Sequence, residues 1–452
     1  MKVLNSLLLI HLALAAVLAQ QREVPREWVD PDTGHRVIRL SEEPDSQSLY
    51  FHQNAYTPDG SKMIITTPTG ISAVNLKTRA VERVVEGRVG VIIVGRKTGQ
   101  VYYTKTVREP NRYSVTVYAT DLDTKQTREV ARLPPGVSVS TVNADETLLA
   151  GTLDEKAAKD ISEGRFPRPP GAQPPAEAQS TQRPADAAAG GQQPPQNERR
   201  GDEYPGKGQM MENRLAERRP LQLVTVSTAT GEVKTLLRGT DWYNHIQFSP
   251  ADPALLMFCH EGPWHKVDRT WTIRTDGSGL TKVHPRTMLM EIEGHEWFGR
   301  DGRWIWYDLQ TPRSQVFWVG GYDTKTGERV WYNLQRSEWS VHYNVSPDGK
   351  LFAGDGGGPT SVAAPGNGQW IYLFRPEMIN DRTDGELPNG KDLVRPGVFR
   401  AEKLVNLSKH DYKLEPNVTF TPDMKWIVFR SNMFGPTHVF AVELEKAGSA
   451  HR

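Results

Sequence analysis

A short phrase, a polar turn carrying Asp or Gly followed by a strand-like apolar run, recurs seven times, and this repetition constrains the fold more than any local preference. Its clearest copies are Tyr56-Thr-Pro-Asp-Gly-Ser-Lys-Met-Ile-Ile, Phe298-Gly-Arg-Asp-Gly-Arg-Trp-Ile-Trp-Tyr, Val345-Ser-Pro-Asp-Gly-Lys-Leu-Phe-Ala-Gly and Phe420-Thr-Pro-Asp-Met-Lys-Trp-Ile-Val-Phe. Weaker copies begin at Arg96, Asn143 and Phe248. Between them lies a second phrase with an Asp-Thr or Thr-Gly tip, as in Asn75-Leu-Lys-Thr, Asp121-Leu-Asp-Thr and Ala229-Thr-Gly-Glu. Turn residues flanked by Val, Ile, Tyr, Trp and Leu mark hairpins. Two hairpins per repeat make a four-stranded antiparallel blade, which buries both faces only by stacking on its neighbours around an axis. The pattern therefore predicts an all-β chain, a seven-bladed β-propeller of four-stranded antiparallel blades, in preference to a β-sandwich.

At 452 residues the chain is long enough for several domains, but a repeat architecture of this size forms one unit, expected over 20–452. At the N-terminus Lys2 precedes the apolar run Leu7 to Leu18, with a cleavage site after Ala19. Residues 1–19 thus read as a secretory signal, too short to span a bilayer as an anchor. No later stretch is long and apolar enough to span, so an exported protein is expected, periplasmic or secreted. A Pro/Gln/Ala-rich stretch at about 160–205 lacks the apolar residues that offset ordering entropy and reads as a disordered insertion. Met210 to Arg219 follows it as one short helix leading into the fourth blade. With 55 basic and 54 acidic residues the chain has no field to attract nucleic acid. The single cysteine, Cys259, excludes an internal disulfide and a cysteine-rich metal site.

Four histidine-bearing segments crowd between residues 240 and 345: Trp242-Tyr-Asn-His245, Cys259-His260-Glu-Gly-Pro-Trp-His265, Gly294-His295-Glu-Trp and Trp339-Ser-Val-His342. His245 and His342 stand at the same offset before Phe248-Ser-Pro and Val345-Ser-Pro, which points both side chains to equivalent places around the axis. Imidazoles gathered at one mouth of a channel bind a divalent metal, and one left unligated serves as a base. His260-Glu-Gly-Pro-Trp-His265 is not a zinc-protease helix, because the spacing is one too long and Gly262-Pro263 breaks a helix. Gly354-Asp-Gly is not a dinucleotide loop, since no βαβ unit surrounds it.

With Cys259-His-Glu-Gly-Pro, Gly294-His-Glu-Trp, Gly354-Asp355-Gly and the opening Asp32-Thr-Gly-His-Arg-Val-Ile-Arg-Leu, the chain resembles the oligogalacturonate lyase family from about residue 30 to its C-terminus. The resemblance implies a seven-bladed propeller that cleaves short galacturonides by β-elimination with a manganese-type ion, as in pectin degradation. His260 matches the family's catalytic base and His295 one metal ligand. The remaining ligands of the family form Gln-x-x-His-x-His before the last turn, where this chain reads Tyr412-Lys-Leu-Glu415-Pro-Asn417. Glu415 and Asn417 replace both histidines, and as oxygen ligands they suit Mn²⁺ first, with Ca²⁺ or Mg²⁺ as alternatives.

On this reading His260 removes the C5 proton, and His295, Glu415 and Asn417 hold the ion. His245, His342, Tyr243, Trp264 and Asp355 bind the sugar. Two alternatives remain: a lyase for another uronide, and a noncatalytic TolB-like envelope propeller that binds a protein or glycan.

Overall fold

Each copy of the repeated phrase folds as the tight turn between an inner strand and the next strand outward, and one backbone bond recurs in all seven. The donors and acceptors are Thr57→Lys62, Gly95→Gln100, Asn143→Leu148, Ser249→Leu255, Gly299→Trp304, Ser346→Leu351 and Thr421→Trp426, at 2.8–3.0 Å. The Asp of the phrase caps the turn from inside. Asp59 Oδ1 accepts from Thr57 Oγ1 at 2.6 Å and from the Ser61 amide at 3.0 Å. Asp348 and Asp423 repeat the hydroxyl contact with Ser346 and Thr421. The position after it needs a left-handed backbone, which Gly supplies without a Cβ penalty. Gly60, Gly302 and Gly349 have φ of +71°, +68° and +74°, and Met424 takes φ +58° in the last copy.

The computed structural model describes residues 23–109, 112–166, 207–359, 361, 368–380 and 387–448. The expected leader at 1–19 and most of the insertion lie outside these residues. Among the described residues the strands form six hydrogen-bonded sheets, one of three strands, three of four, one of five and one of eight. The eight-stranded sheet is two four-stranded meanders. One begins at Ile292–Phe298 and the other at Tyr343–Val345, and they join where Arg329–Leu334 lies parallel to Val394–Asn406. The five-stranded sheet closes the ring: His35–Arg39 pairs with His438–Lys446, with Val37 opposite Val442. Joining the two ends of the chain in one sheet removes the open edges a linear array would leave. The architecture is all-β and propeller-like.

The insertion interrupts the third sheet from within. Its second strand, Leu148–Asp154, runs into a short helix, Glu155–Ser162, whose N-cap Asp154 accepts from the Ala157 amide at 2.9 Å. The helix after the insertion, Lys207–Glu217, returns to Leu221–Ser227, the third strand of that same sheet, and not to the next blade as the sequence suggested. Leu223, Val224 and Val226 are fully buried there, and only this sheet offers them both strand partners, Leu148–Asp154 and Val233–Gly239.

The core lies between sheets. Ile64, Ile71 and Val74 pack against Val428, Val439 and Ala441 of the closing sheet, while Leu373 and Leu404 pack on its other side against Phe429 and Phe440. Because both faces of a sheet are covered, the strands read as apolar runs rather than strict alternation. Each fully buried aliphatic side chain of this kind contributes about 1.5–3 kcal/mol. No helix among the described residues is long and apolar enough to cross a membrane.

Candidate active site

The inner strands carry a β-bulge near their first turn. Against the neighbouring strand the register slips between Asn244 and Gln247, and again between Gly294 and Trp297. The unpaired residues begin with His245 and His295, at φ +46° and +48°. Asn417, at φ +56°, stands three residues before Phe420 as His245 does before Phe248. A bulge turns a side chain out of the pleat. Here imidazoles from separate segments of the chain come together: the His295 and His342 rings lie 4.8 Å apart, and those of His52 and His245 lie 6.1 Å apart. Tyr50 stands between, 5.1 Å from His342 and 6.0 Å from His245 by ring centres.

Each of three imidazoles has Nδ1 against a buried carboxylate. His245 Nδ1 is 3.1 Å from Glu296 Oε1, His295 Nδ1 is 3.2 Å from Asp308 Oδ1, and His342 Nδ1 is 2.9 Å from Asp355 Oδ2. This fixes the ring and directs the other nitrogen, Nε2, to chemistry. His342 Nε2 meets Tyr50 Oη at 3.1 Å and Glu415 Oε2 at 3.7 Å.

The charges sort accordingly. Burial pushes the His342 pKa down, yet Asp355 and Glu415 outweigh it and the net shift is upward. Burial, then the neighbouring His245, lowers His52 to about 3, so it stays neutral. Burial would raise the Glu296 and Glu261 carboxyls, but His245 and Arg269 hold both below the usual range. Arg269 is 2 % exposed and pairs with Glu261 Oε1 at 3.0 Å. Glu293, buried beside them, is raised to about 7, chiefly by desolvation.

The residues expected from sequence fall into two groups. His245, His295, His342 and Glu415 do converge. His260 does not join them: it alternates with Cys259 and Glu261 along Leu255–Glu261, so its ring turns to the opposite face of the strand. There it stacks on Trp271 at 5.3 Å and touches Tyr243 and Phe258, with Nε2 buried and unpartnered. Tyr243 is 5 % exposed in this same apolar cluster. Asn417 is fully buried, its amide spent on the Phe51 N–H and the Glu415 carbonyl. Asp355 is likewise committed, accepting from the amides of His342 and Asn417 as well as facing the His342 ring. Trp264 lies under the guanidinium of Arg313 at 5.9 Å, and its indole nitrogen stands near Gly294.

Sequence reasoning missed Tyr50, His52, Glu296, Arg269 and Asp308. One signal was available: Asp308 follows His295, and Asp355 follows His342, by the same interval of 13 residues. Tyr50 and His52 precede the first copy of the repeat much as the other histidines precede theirs.

The His295 and His342 rings lie 4.8 Å apart and His342 Nε2 is 3.7 Å from Glu415 Oε2, a mix of imidazole nitrogen and carboxylate oxygen that suits a divalent ion such as Mn²⁺. His245, Cys259 and Glu261 each place one ligand atom within 4.8 Å of the others. Burial pushes the Cys259 thiol well up, which disfavours the thiolate that a metal would need, so this set is poorer.

Fold and site together define a propeller-like enzyme with carboxylate-anchored imidazoles at one end of its inner strands. A family model described as oligogalacturonate lyase matches residues 212–447, and the chain belongs to that family. It is 24 % identical over 445 residues to the oligogalacturonate lyase of Dickeya dadantii (strain 3937), covering 92 % of this chain and 95 % of that one. It is 27 % identical over 230 residues to the oligogalacturonide lyase of Pectobacterium atrosepticum, covering 49 % of this chain and 55 % of that one. Among solved structures it resembles an oligogalacturonate lyase in complex with manganese, with TM-score 0.66, 21 % identity and coverage of 93 % and 96 % of the two chains. An oligogalacturonate lyase from Vibrio parahaemolyticus gives TM-score 0.67 at 20 % identity with the same coverage. These likenesses support the fold.

Proposed function

We propose that this chain cleaves short oligogalacturonides by metal-assisted β-elimination at the mouth where His245, His295 and His342 meet. Family membership supports the reaction class, and the observation that carries the site is the trio of Nδ1-anchored imidazoles. Elimination removes the proton on C5 of the uronide and expels the glycosidic oxygen from C4, leaving a 4,5-unsaturated sugar. The difficulty is the negative charge that grows toward the C6 carboxylate.

His295, His342 and Glu415 would hold the ion, with Mn²⁺ favoured by the donor set and Ca²⁺ or Mg²⁺ as alternatives. When bound, a divalent ion supplies stabilisation of that carboxylate charge. His245 takes the proton: Glu296 orients its ring, and with Glu261 it stabilises the imidazolium that forms. Tyr50 and His52 wall the mouth, and neutral His52 adds no cation there. His260 is a second reading for the base. It rests on the family match and on a burial-lowered pKa that keeps the ring neutral.

Incubating the purified protein with short oligogalacturonides, with and without chelator, tests the reading through ultraviolet absorbance of the unsaturated product. Product that appears only with metal, and is lost in His245→Ala but retained in His260→Ala, is the expected result. The reverse pattern transfers the base to His260, and silence with every uronide favours a binding propeller.

Two further readings belong here. The two meanders of the eight-stranded sheet count as two blades, which with the other five sheets makes seven, in step with the seven turns. The leader-like segment around Leu7 to Leu18 supports export; N-terminal sequencing of protein recovered from outside the cytoplasm should begin at Gln20.

A further inference from the structure

The seven turns differ at one position. The residue after the conserved amide is Pro58, Ala144, Pro250, Pro347 or Pro422 in five copies, but Arg96 and Arg300 in the two others. Both arginines sit at the far end of the inner strands from the imidazole mouth, because the turn follows each strand's last residue, Val94 or Phe298. They line one open cavity of about 80 Å³ together with His52, Asn54, Asn344 and Pro347. A second cavity of about 40 Å³ shares Arg96, His52, Gln53 and Asn54 with it. No Asp or Glu lines either.

The buried basic groups Arg269 and His342 have a carboxylate at hand, Glu261 and Asp355, whereas Arg96 is half-buried and Arg300 exposed. Arg96 and Arg300 make no hydrogen bond or ion pair among the described residues. Burial, and then the repulsion of Arg300, lower the Arg96 pKa to about 10, so Arg96 remains cationic at neutral pH. Two guanidinium groups that repel each other across a cavity free of acids make a positive field there, which solvent weakens only in part and which an anion between them would relieve. The planar fork of Arg suits carboxylate and phosphate oxygens. Asn54 and Asn344 add amide groups to the same wall, although both already bond backbone carbonyls through Nδ2.

We propose that Arg96 and Arg300 form an anion site at the end of the channel opposite the imidazole mouth, taking the carboxylate of a small sugar acid. The oxyanion chemistry stands on the cavity alone; the choice of a uronate as occupant rests on the lyase reading. The inner strands then carry opposite fields at their two ends: Glu261, Glu296, Asp308, Asp355 and Glu415 at one, two arginines at the other. A uronide acid released at the mouth has a complementary site beyond His52.

The test is calorimetric titration of the full-length protein with galacturonate and, separately, with inorganic phosphate, at low ionic strength. The variants are the double substitution R96Q/R300Q and, as a control, K97Q, which removes a cation from the exposed surface beside the cavity. Saturable galacturonate binding that weakens about tenfold or more in the double variant, and is unchanged in K97Q, supports the site. Equal binding in wild type and double variant, or binding of phosphate only, overturns it. Thermal unfolding guards against a misfolded variant. Without ligand the double variant should melt no lower than wild type, since it loses a repulsion, and galacturonate should raise only the wild-type midpoint. His245→Ala should abolish elimination yet keep this binding. A protein inactive on all uronides that still binds galacturonate through Arg96 and Arg300 refutes the proposed function and leaves the anion site standing.

Discussion

His342 and Asp355 meet twice: the His342 amide donates to Asp355 Oδ1 at 2.7 Å, and its ring Nδ1 faces Oδ2 at 2.9 Å, both residues fully buried. The same carboxylate accepts from the Asn417 amide at 3.1 Å, so one side chain ties the eight-stranded sheet to the closing sheet. The imidazole mouth is thus built on buried acids, Glu296, Asp308 and Asp355, rather than on surface carboxylates.

Replacing Glu296 by Gln keeps the shape of the side chain but removes the charge that orients His245. kcat on oligogalacturonides is expected to fall about 100-fold with little change in KM, because the carboxylate acts through the base. An unchanged kcat would dissociate His245 from catalysis.

Metal should appear in stability as well as in rate. Mn²⁺ at 100 times its dissociation constant stabilises a folded site by about 2.7 kcal/mol, which raises the thermal midpoint of chelator-treated protein. His295→Ala should lose that rise. A rise that persists in His295→Ala would move the ion to the set formed by His245, Cys259 and Glu261.

His52 gives the acid limb of stability. Its folded pKa, about 3, lies below the unfolded value near 6.5, so the unfolded chain binds more protons between these values. Its contribution is full above pH 6.5 and falls toward pH 3, by about 1.4 kcal/mol per pH unit at most. Urea unfolding of His52→Gln between pH 3 and 7 should show a shallower decline than wild type; parallel curves would refute the assignment.

Glu261→Gln strands the Arg269 guanidinium, whose Nε already lacks a partner. Breaking a buried pair from one side costs about 3–5 kcal/mol. Denaturant unfolding that shows a loss below about 1 kcal/mol would mean that water enters to replace the pair.

Two glycines of the repeat should respond unequally to Ala. At Gly349 a Cβ meets nothing within 4 Å, so the cost is the left-handed backbone alone, about 1–2 kcal/mol. At Gly60 a Cβ would stand 2.8 Å from Pro422 Cβ of the closing sheet, adding about 1–3 kcal/mol. Equal thermal shifts for the two variants would remove the steric contribution.

The turns, the hairpins and the all-β class were legible in the chain because they depend on neighbours: Asp59 caps its own turn, and Gly60 supplies its own φ. The shared offset of His245 and His342 was legible for the same reason, as each is measured from its own turn. What the sequence could not decide is which face of a strand a residue occupies once a bulge intervenes. His260 sits one residue from Cys259 and Glu261 yet faces the other way, toward Trp271. Glu296 is turned onto His245 of another sheet.

Nor could sequence assign the insertion to the third sheet, since Leu221–Ser227 is chosen by strands on either side of it. Local chemistry wrote the repeat. Only closure of the ring, which pairs His35–Arg39 with His438–Lys446 and sets distant strands side by side, made three imidazoles and three carboxylates into one site.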